Sequence, residues 1–282
     1  MNILSIQSSV AYGHAGNSSA VFPLQRLGFE VWPVYTVHFS NHTGYGEWRG
    51  PVFEPETVAD VITGIEERGV LGECDAVLSG YQGGEQVGAV ILDAVSRVKA
   101  ANPKAIYCAD PVMGDVERGF FVRPGIPEFM RDTVIPAADI VTPNQFELEF
   151  LTGSEVRTVD GLLSAVDALR DRGPRTVLVT SVQTDETPAD SVQLAVVTDD
   201  GAWLVTTPLL PMYVSGAGDA TAAIFLARWL AEEPAKALAD TADSVFSIME
   251  RTHQAGTREI QLIASQDAIA HPQGRFEVVR LR

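Results

Sequence analysis

Short apolar runs that alternate with amphipathic stretches along 282 residues constrain this chain more than any other feature. The apolar runs Ile3–Ser8, Glu30–Val37, Asp75–Ser79, Ala105–Ala109, Ile140–Thr142 and Thr176–Thr180 read as strands. Between and after them, Ser18–Leu27, Glu56–Arg68, Gln86–Ala101, Gly161–Asp171, Ala217–Ala231 and Ala235–His253 carry helical periodicity. Strand–helix–strand order repeated in this way predicts an α/β fold, a mainly parallel sheet with helices on both faces. The runs Ser191–Thr198 and Ala202–Thr206, joined across Asp199-Asp200-Gly201, predict an antiparallel hairpin at one edge of that sheet. No internal repeat or low-complexity linker divides the chain, so residues 1–282 are expected to form one domain. His38–Pro55 lacks periodicity and is expected to be a functional lid or, equally, a mobile surface loop.

Charge narrows the partners. A net charge of −17 argues against nucleic acid and against an anionic membrane surface. No stretch approaches the roughly 20 apolar residues needed to cross a bilayer. The opening Met1-Asn2-Ile3-Leu4-Ser5-Ile6-Gln7 reads as a strand rather than a leader, and Cys74 and Cys108 fall in apolar runs without metal-ligand spacing. A reducing cytoplasm is the expected location. Lysine occurs only at Lys99, Lys104 and Lys236, none in a glycine-rich loop. Any phosphate held here must therefore lean on backbone amides, helix starts, arginines and metal ions.

Three motifs carry chemistry. Ser215-Gly216-Ala217-Gly218-Asp219 opens an apolar helix. Small residues allow close approach, and a helix start offers unpaired N–H groups with about +0.5 of an elementary charge. Asp219 in the first turn suits a base that takes a proton from an attacking hydroxyl; the plainer alternative is a glycine turn with Asp219 as a capping acid. The motif lacks a Walker ending, and no Gly-x-Gly-x-x-Gly follows the first strand. Asp110-Pro111-Val112-Met113-Gly114 leaves a strand where open α/β sheets place ligands, or simply makes an Asx-turn. In Thr142-Pro143-Asn144-Gln145-Phe146-Glu147, Asn144 and Glu147 suit the water shell of Mg²⁺, or else a capping box, while Phe146 and Phe150 are expected on one buried helix face. Near the amino end, Gln7-Ser8 and Gly13-His14-Ala15-Gly16-Asn17 allow a flat ligand close to the backbone, or form an ordinary glycine-rich connection. Ser8, Ser79-Gly80, Asp110, Thr142 and Thr180 all fall at expected strand carboxyl ends, which a parallel sheet gathers along one rim.

In this order, the motifs resemble those of the pyridoxal kinases of the ribokinase-like superfamily. The likeness spans the chain and is most specific at Tyr12-Gly13-His14-Ala15-Gly16-Asn17, Phe39-Ser40-Asn41-His42-Thr43-Gly44-Tyr45-Gly46, Leu78-Ser79-Gly80-Tyr81 and Glu259-Ile260-Gln261-Leu262. Gly216-Ala217-Gly218-Asp219 marks the superfamily only. The resemblance implies a three-layer sandwich and phosphorylation of the 5′-hydroxymethyl group of pyridoxal by ATP. It implies Mg²⁺, a monovalent cation such as K⁺, and a homodimer.

By the same resemblance, Ser8, Thr43, Gly44 and Tyr81 match substrate-contacting positions. Asp219 matches the catalytic base and a further substrate contact, beside the Gly216, Ala217 and Gly218 anion hole. Asp110, Thr142, Glu147 and Thr180 match positions at the nucleotide or its metal, with Asp110 and Glu147 on the metal side, directly or through water. Thr207, Pro208, Leu209 and Leu210 match a loop over the nucleotide. Two departures stand out. Thr180 replaces a lysine common in related bacterial enzymes, and the stretch between Pro208 and Gly216 is short and holds no arginine. The alternatives are a non-catalytic B6-vitamer binding protein and a related kinase acting on hydroxymethylpyrimidine.

Overall fold

The computed structural model describes every residue, Met1–Arg282. The strands are β1 (Asn2–Val10), β2 (Glu30–Phe39), β3 (Cys74–Ser79), β4 (Ile106–Ala109), β5 (Gly114–Asp115), β6 (Gly119–Phe120), β7 (Ile140–Val141), β8 (Thr176–Val182), β9 (Ser191–Thr198), β10 (Gly201–Pro208) and β11 (Val278–Arg280). The helices are α1 (Asn17–Arg26), α2 (Pro55–Glu66), α3 (Glu85–Ala101), α4 (Ile126–Phe129), α5 (Ile135–Ala137), α6 (Gln145–Thr152), α7 (Val159–Arg170), α8 (Ala217–Trp229), α9 (Pro234–Ala255) and α10 (Gln266–Ala270). No helix is long and apolar enough to cross a membrane.

Nine strands form one sheet in the order β11-β10-β9-β8-β7-β4-β3-β1-β2. From β2 to β8 every pairing is parallel, and β9, β10 and β11 add on antiparallel. Side chains alternate across such a sheet, so neighbouring apolar residues serve opposite cores. Leu4, Val77, Val177 and Val179 face one core with Ile62 of α2, Ile91 of α3, Leu148 of α6 and Leu162 of α7. Ile3, Ala76, Leu78 and Leu178 face the other with Leu24 of α1, Phe225 of α8 and Leu238 of α9. The result is three layers. The continuous apolar runs of β1, β3 and β8 reflect burial on both faces.

Three expectations need correction. The β9–β10 hairpin forms as read, but β11 pairs with β10 and takes the edge. The tail reaches that edge because Asp243, side chain 1% exposed on α9, accepts from the Gly274 amide at 2.6 Å and from Arg275 Nε at 2.6 Å. Segment 38–55 is not irregular throughout. It turns back along β2, with His38 and Ser40 amides donating to Pro51 and Arg49 carbonyls at 3.0 and 2.7 Å. Thr43–Tyr45 makes one 3₁₀ turn at the tip. Phe146 and Phe150 are only half-buried: Phe150 packs on the margin of the main core, and Phe120 of the small β5–β6 hairpin packs edge-on against both, at 5.1 and 4.9 Å between ring centres. Glu147, Leu148 and Leu151 form the buried face of α6 instead.

Candidate active site

A parallel sheet gathers its strand carboxyl ends on one rim, and a cavity of about 580 Å³ opens there. Ser8, Thr43, Tyr81, Asp110, Thr142, Glu147, Thr180, Leu209, Gly216, Ala217, Gly218 and Asp219 all line it. Gly44, Thr207, Pro208 and Leu210 do not. Gly44 turns its amide to His42 Nδ1 (3.1 Å) and its carbonyl to Arg258 (3.2 Å), shaping the loop tip. Thr207 is 5% exposed and sits inside the β10 ladder facing β9, so only Leu209 of that run reaches the cavity.

The α8 end is built by two close backbone approaches. Ser8 falls where the β1–β2 register slips, and a Cβ on Gly16 would strike the Ser8 carbonyl and hydroxyl. A Cβ on Gly216, whose φ is 85°, would strike the His14 carbonyl. Only glycine fits both places. Ser19 Oγ then donates to the Gly216 carbonyl at 2.7 Å, fastening the first helix to the α8 start. Gly216 precedes the helix with no side-chain cap, and Gly218 has open space around its Cα. The Ala217 and Gly218 amides at the start of α8 are left for a ligand. The plainer reading holds in part, since the Asp219 carboxylate takes a hydrogen bond from its own first-turn amide. Its carboxylate lies at the cavity, where burial pushes its pKa up while the Gly16 amide and its own amide pull it down.

At the other end, β4 and β7 deliver Asp110 and Thr142, with Thr142 Oγ1 donating to Asp110 Oδ1 at 3.0 Å. The capping box expected as the plainer reading does form. The Glu147 amide donates to Asn144 Oδ1 (2.9 Å), and the Asn144 amide donates to Glu147 Oε2 (3.0 Å). Glu147 Oε1 also accepts from the Met113 and Gly114 amides at 2.8 and 3.3 Å, which roots the β5–β6 hairpin over the cavity. One carboxylate thus both caps α6 and lines the cavity. Burial pushes Glu147 up to about 7 against the pull of those amides. Burial, then the charges of Glu147 and Asp219, hold Asp110 well above its ordinary range.

Carboxyls raised above their ordinary range mainly by burial would gain from a nearby cation, and their oxygens suit a hard one. No group of three or more acidic, histidine or cysteine side chains forms a cage. The residues fit Mg²⁺ that keeps water and phosphate oxygens as most of its ligands. A cation there lowers both pKa values. Adding Mg²⁺ with ADP at about pH 6.5 is therefore expected to release protons, seen as binding enthalpies that differ between buffers of unlike ionisation enthalpy. Equal enthalpies would place the ion elsewhere.

Sequence reasoning missed several residues of this site. Arg118 on the β5–β6 turn lines the cavity, as do His42 and Ser215, whose Nδ1 and Oγ lie 2.9 Å apart. Ser181 is the one non-glycine residue with positive φ (54°), at the break in the β8–β9 register. Glu259 accepts from Tyr45 Oη at 2.8 Å and from the His14 amide at 2.9 Å, tying the Thr43 loop to the first glycine turn. The glutamate had been noted only as part of a resemblance; no spacing in the sequence brings it to residue 14.

The architecture and the chain have close counterparts. Residues 67–261 match the family model described as phosphomethylpyrimidine kinase. Pyridoxal kinase PdxY of Rubrobacter xylanophilus is 60% identical over 283 residues, covering 100% of this chain and 98% of that protein. The enzyme of the same name from Leifsonia xyli is 56% identical, covering 100% of both. Pyridoxal kinase from Leishmania donovani, solved with ADP and pyridoxamine, superposes with a TM-score of 0.93 at 27% identity, covering 100% of this chain and 99% of that one. The three-layer sheet is thus ribokinase-like, and the chain belongs to the pyridoxal kinase family.

Proposed function

We infer that the protein transfers the γ-phosphoryl group of ATP to the 5′-hydroxymethyl group of pyridoxal, giving pyridoxal 5′-phosphate. One observation carries this reading: a carboxylate beside a helix start whose N-cap glycine offers no side chain, in the same cavity as two further carboxyls that a cation would stabilise. The names of the relatives, and the ADP and pyridoxamine bound by the Leishmania enzyme, support the same pair of substrates.

In this reading Ser8 and Thr43 hydrogen-bond the polar edges of the pyridine ring, and Tyr81 lies against its face. Burial pushes the Tyr81 phenol up, so it stays neutral beside the ring. Asp219 takes the proton from the hydroxymethyl group as its oxygen attacks phosphorus. The amides of Ala217 and Gly218, in the first turn of α8, receive the negative charge of the phosphoryl group in transit. Thr142 and Thr180 face the nucleotide. Asp110 and Glu147 would hold Mg²⁺ directly or through its water shell, where it would supply positive charge to the phosphates. Phosphoryl transfer needs mainly alignment and charge stabilisation, and these groups provide both.

The whole chain, residues 1–282, acts as one catalytic unit in this reading. A monovalent cation and a homodimer belong to it on the family resemblance alone. A cytoplasmic setting suits the buried free thiols of Cys74 and Cys108. The decisive assay supplies purified protein with Mg-ATP and follows phosphorylated product from pyridoxal, pyridoxine and hydroxymethylpyrimidine. The expected result is the highest kcat/KM with pyridoxal. Preference for hydroxymethylpyrimidine would move the chain to the kinase named by the matching family model. Binding without turnover of any of them would leave a B6-vitamer carrier.

A further inference from the structure

Phosphate binding in this cavity faces a shortage of positive charge. Carboxyls from Asp110, Asp115, Glu117, Glu147, Glu149 and Asp219 line it, whereas Arg118 is the only arginine or lysine that does. A nucleotide brings further negative charge to the same space. Mg²⁺ offsets part of it, and no lysine stands nearby to offset more.

The setting of Arg118 is that of a held, half-used side chain. Asp115 Oδ2 accepts from Nε at 2.9 Å and from Nη2 at 2.6 Å. The guanidinium also lies over the rings of Phe121 and Tyr213, with Cζ 4.3 and 4.9 Å from their centres. Those contacts fix the plane of the fork without using all of it. Nη1 has no protein hydrogen-bond partner. A pre-oriented guanidinium loses little freedom when it binds an anion.

Its place in the fold directs the free nitrogen's chemistry. The hairpin carrying Arg118 is rooted by Glu147 at Met113 and Gly114, and by Asn144 Nδ2 donating to the Gly114 carbonyl at 2.8 Å. On its other side stands Tyr213, two residues before Ser215 and the α8 start. Arg118 thus bridges the metal side and the phosphoryl side of the cavity. The other basic candidate, His42, is disqualified. Its Nδ1 accepts from the Gly44 amide, and burial followed by the Arg118 charge lowers its pKa.

We propose that Arg118 is a phosphate-binding residue whose Nη1 donates to an oxygen of the nucleotide γ-phosphate, in place of the lysine that position 180 lacks. The assignment rests on the kinase reading above and adds to it the residue that tells a triphosphate from a diphosphate. Asp115 is then a positioning residue that keeps the fork in plane.

The test compares affinities for ADP and for the β,γ-imido analogue of ATP, both with Mg²⁺, in the wild-type protein, Arg118→Gln and Arg118→Lys. Loss of one charge-assisted hydrogen bond corresponds to about 10- to 100-fold. Arg118→Gln is expected to weaken the imido analogue by that factor while leaving ADP within about twofold. Arg118→Lys, which keeps the charge without the fork, is expected to fall between. Equal affinity of Arg118→Gln and wild type for the analogue would overturn the assignment. So would an equal loss for both nucleotides, which signals a hairpin that has lost its shape. Should Arg118→Gln melt early, the Lys variant decides, by whether its loss is confined to the analogue. Because these are binding measurements, a wild-type protein that fails to phosphorylate pyridoxal would defeat the kinase reading without touching this comparison.

Discussion

Asp219→Ala is expected to lower kcat for pyridoxal phosphorylation by about 10²- to 10⁴-fold, the range for removing a general base. Pyridoxal affinity should change by no more than a few-fold, because Ser8, Thr43 and Tyr81 line the cavity independently of it. Asp219→Asn separates charge from shape and should lose comparable turnover. The stability of that variant carries an independent sign. Burial raises the Asp219 pKa in the folded state, so this group contributes stability below its unfolded pKa and loses it as pH rises through the folded one. At neutral pH an uncharged Asn should therefore melt no lower than wild type. An enzyme with much lower kcat and equal or higher Tm would carry the signature of a residue placed for chemistry at a cost in stability. Near-normal turnover in both variants would remove Asp219 from the base role.

The second large effect lies far from the cavity. Asp243→Ala is expected to destabilise the protein by about 3 kcal/mol, the lower part of the range for stripping one partner from a buried ion pair. The lower part applies because Arg275 is itself 27% exposed and can recover some hydration. Asp243 also accepts from the Gly274 amide, and Arg275 lies against the rings of both Phe246 and Phe276, so the change releases several contacts together. Backbone amides of β11 and its β10 partner should lose hydrogen-exchange protection before the rest of the sheet. Denaturant unfolding measures the first effect, and residue-resolved exchange the second. An unchanged midpoint would show that the tail is held by β11 pairing alone.

Much of this architecture was legible because burial on both sheet faces leaves a plain mark. Ile3-Leu4-Ser5-Ile6 and Thr176-Val177-Leu178-Val179 read as strands since each neighbouring residue serves an opposite core. Asp199-Asp200-Gly201 marked the β9–β10 turn through local chemistry. What escaped notice depends on distant partners. β5, β6 and β11 are two or three residues long, too short for any periodicity to show. Segment 38–55 looked structureless because it borrows order from the edge of β2 rather than from its own pattern.

In the site, Gly16, Gly216 and Asp219 were readable as a helix-start motif with glycines where backbones must nearly touch. Asn144 and Glu147 were readable in two ways, and the geometry shows that the capping box does not withdraw Glu147 from the cavity wall. Arg118 left no trace, because an arginine in a tight turn between acidic residues looks like any solvated charge. Thr207, Pro208 and Leu210 were expected over the nucleotide by correspondence of position; the β10 ladder runs through Pro208 and keeps Thr207 on the sheet.

The link from Glu259 to the His14 amide spans 245 positions of the chain. A nascent polypeptide emerging amino end first thus exposes its acceptor-side residues long before the strut that sets their spacing has been synthesised. Fragments cut short before residue 259 would lack this tie between the Thr43 loop and the first glycine turn, and bound vitamer should protect them less than it protects chains that reach the glutamate.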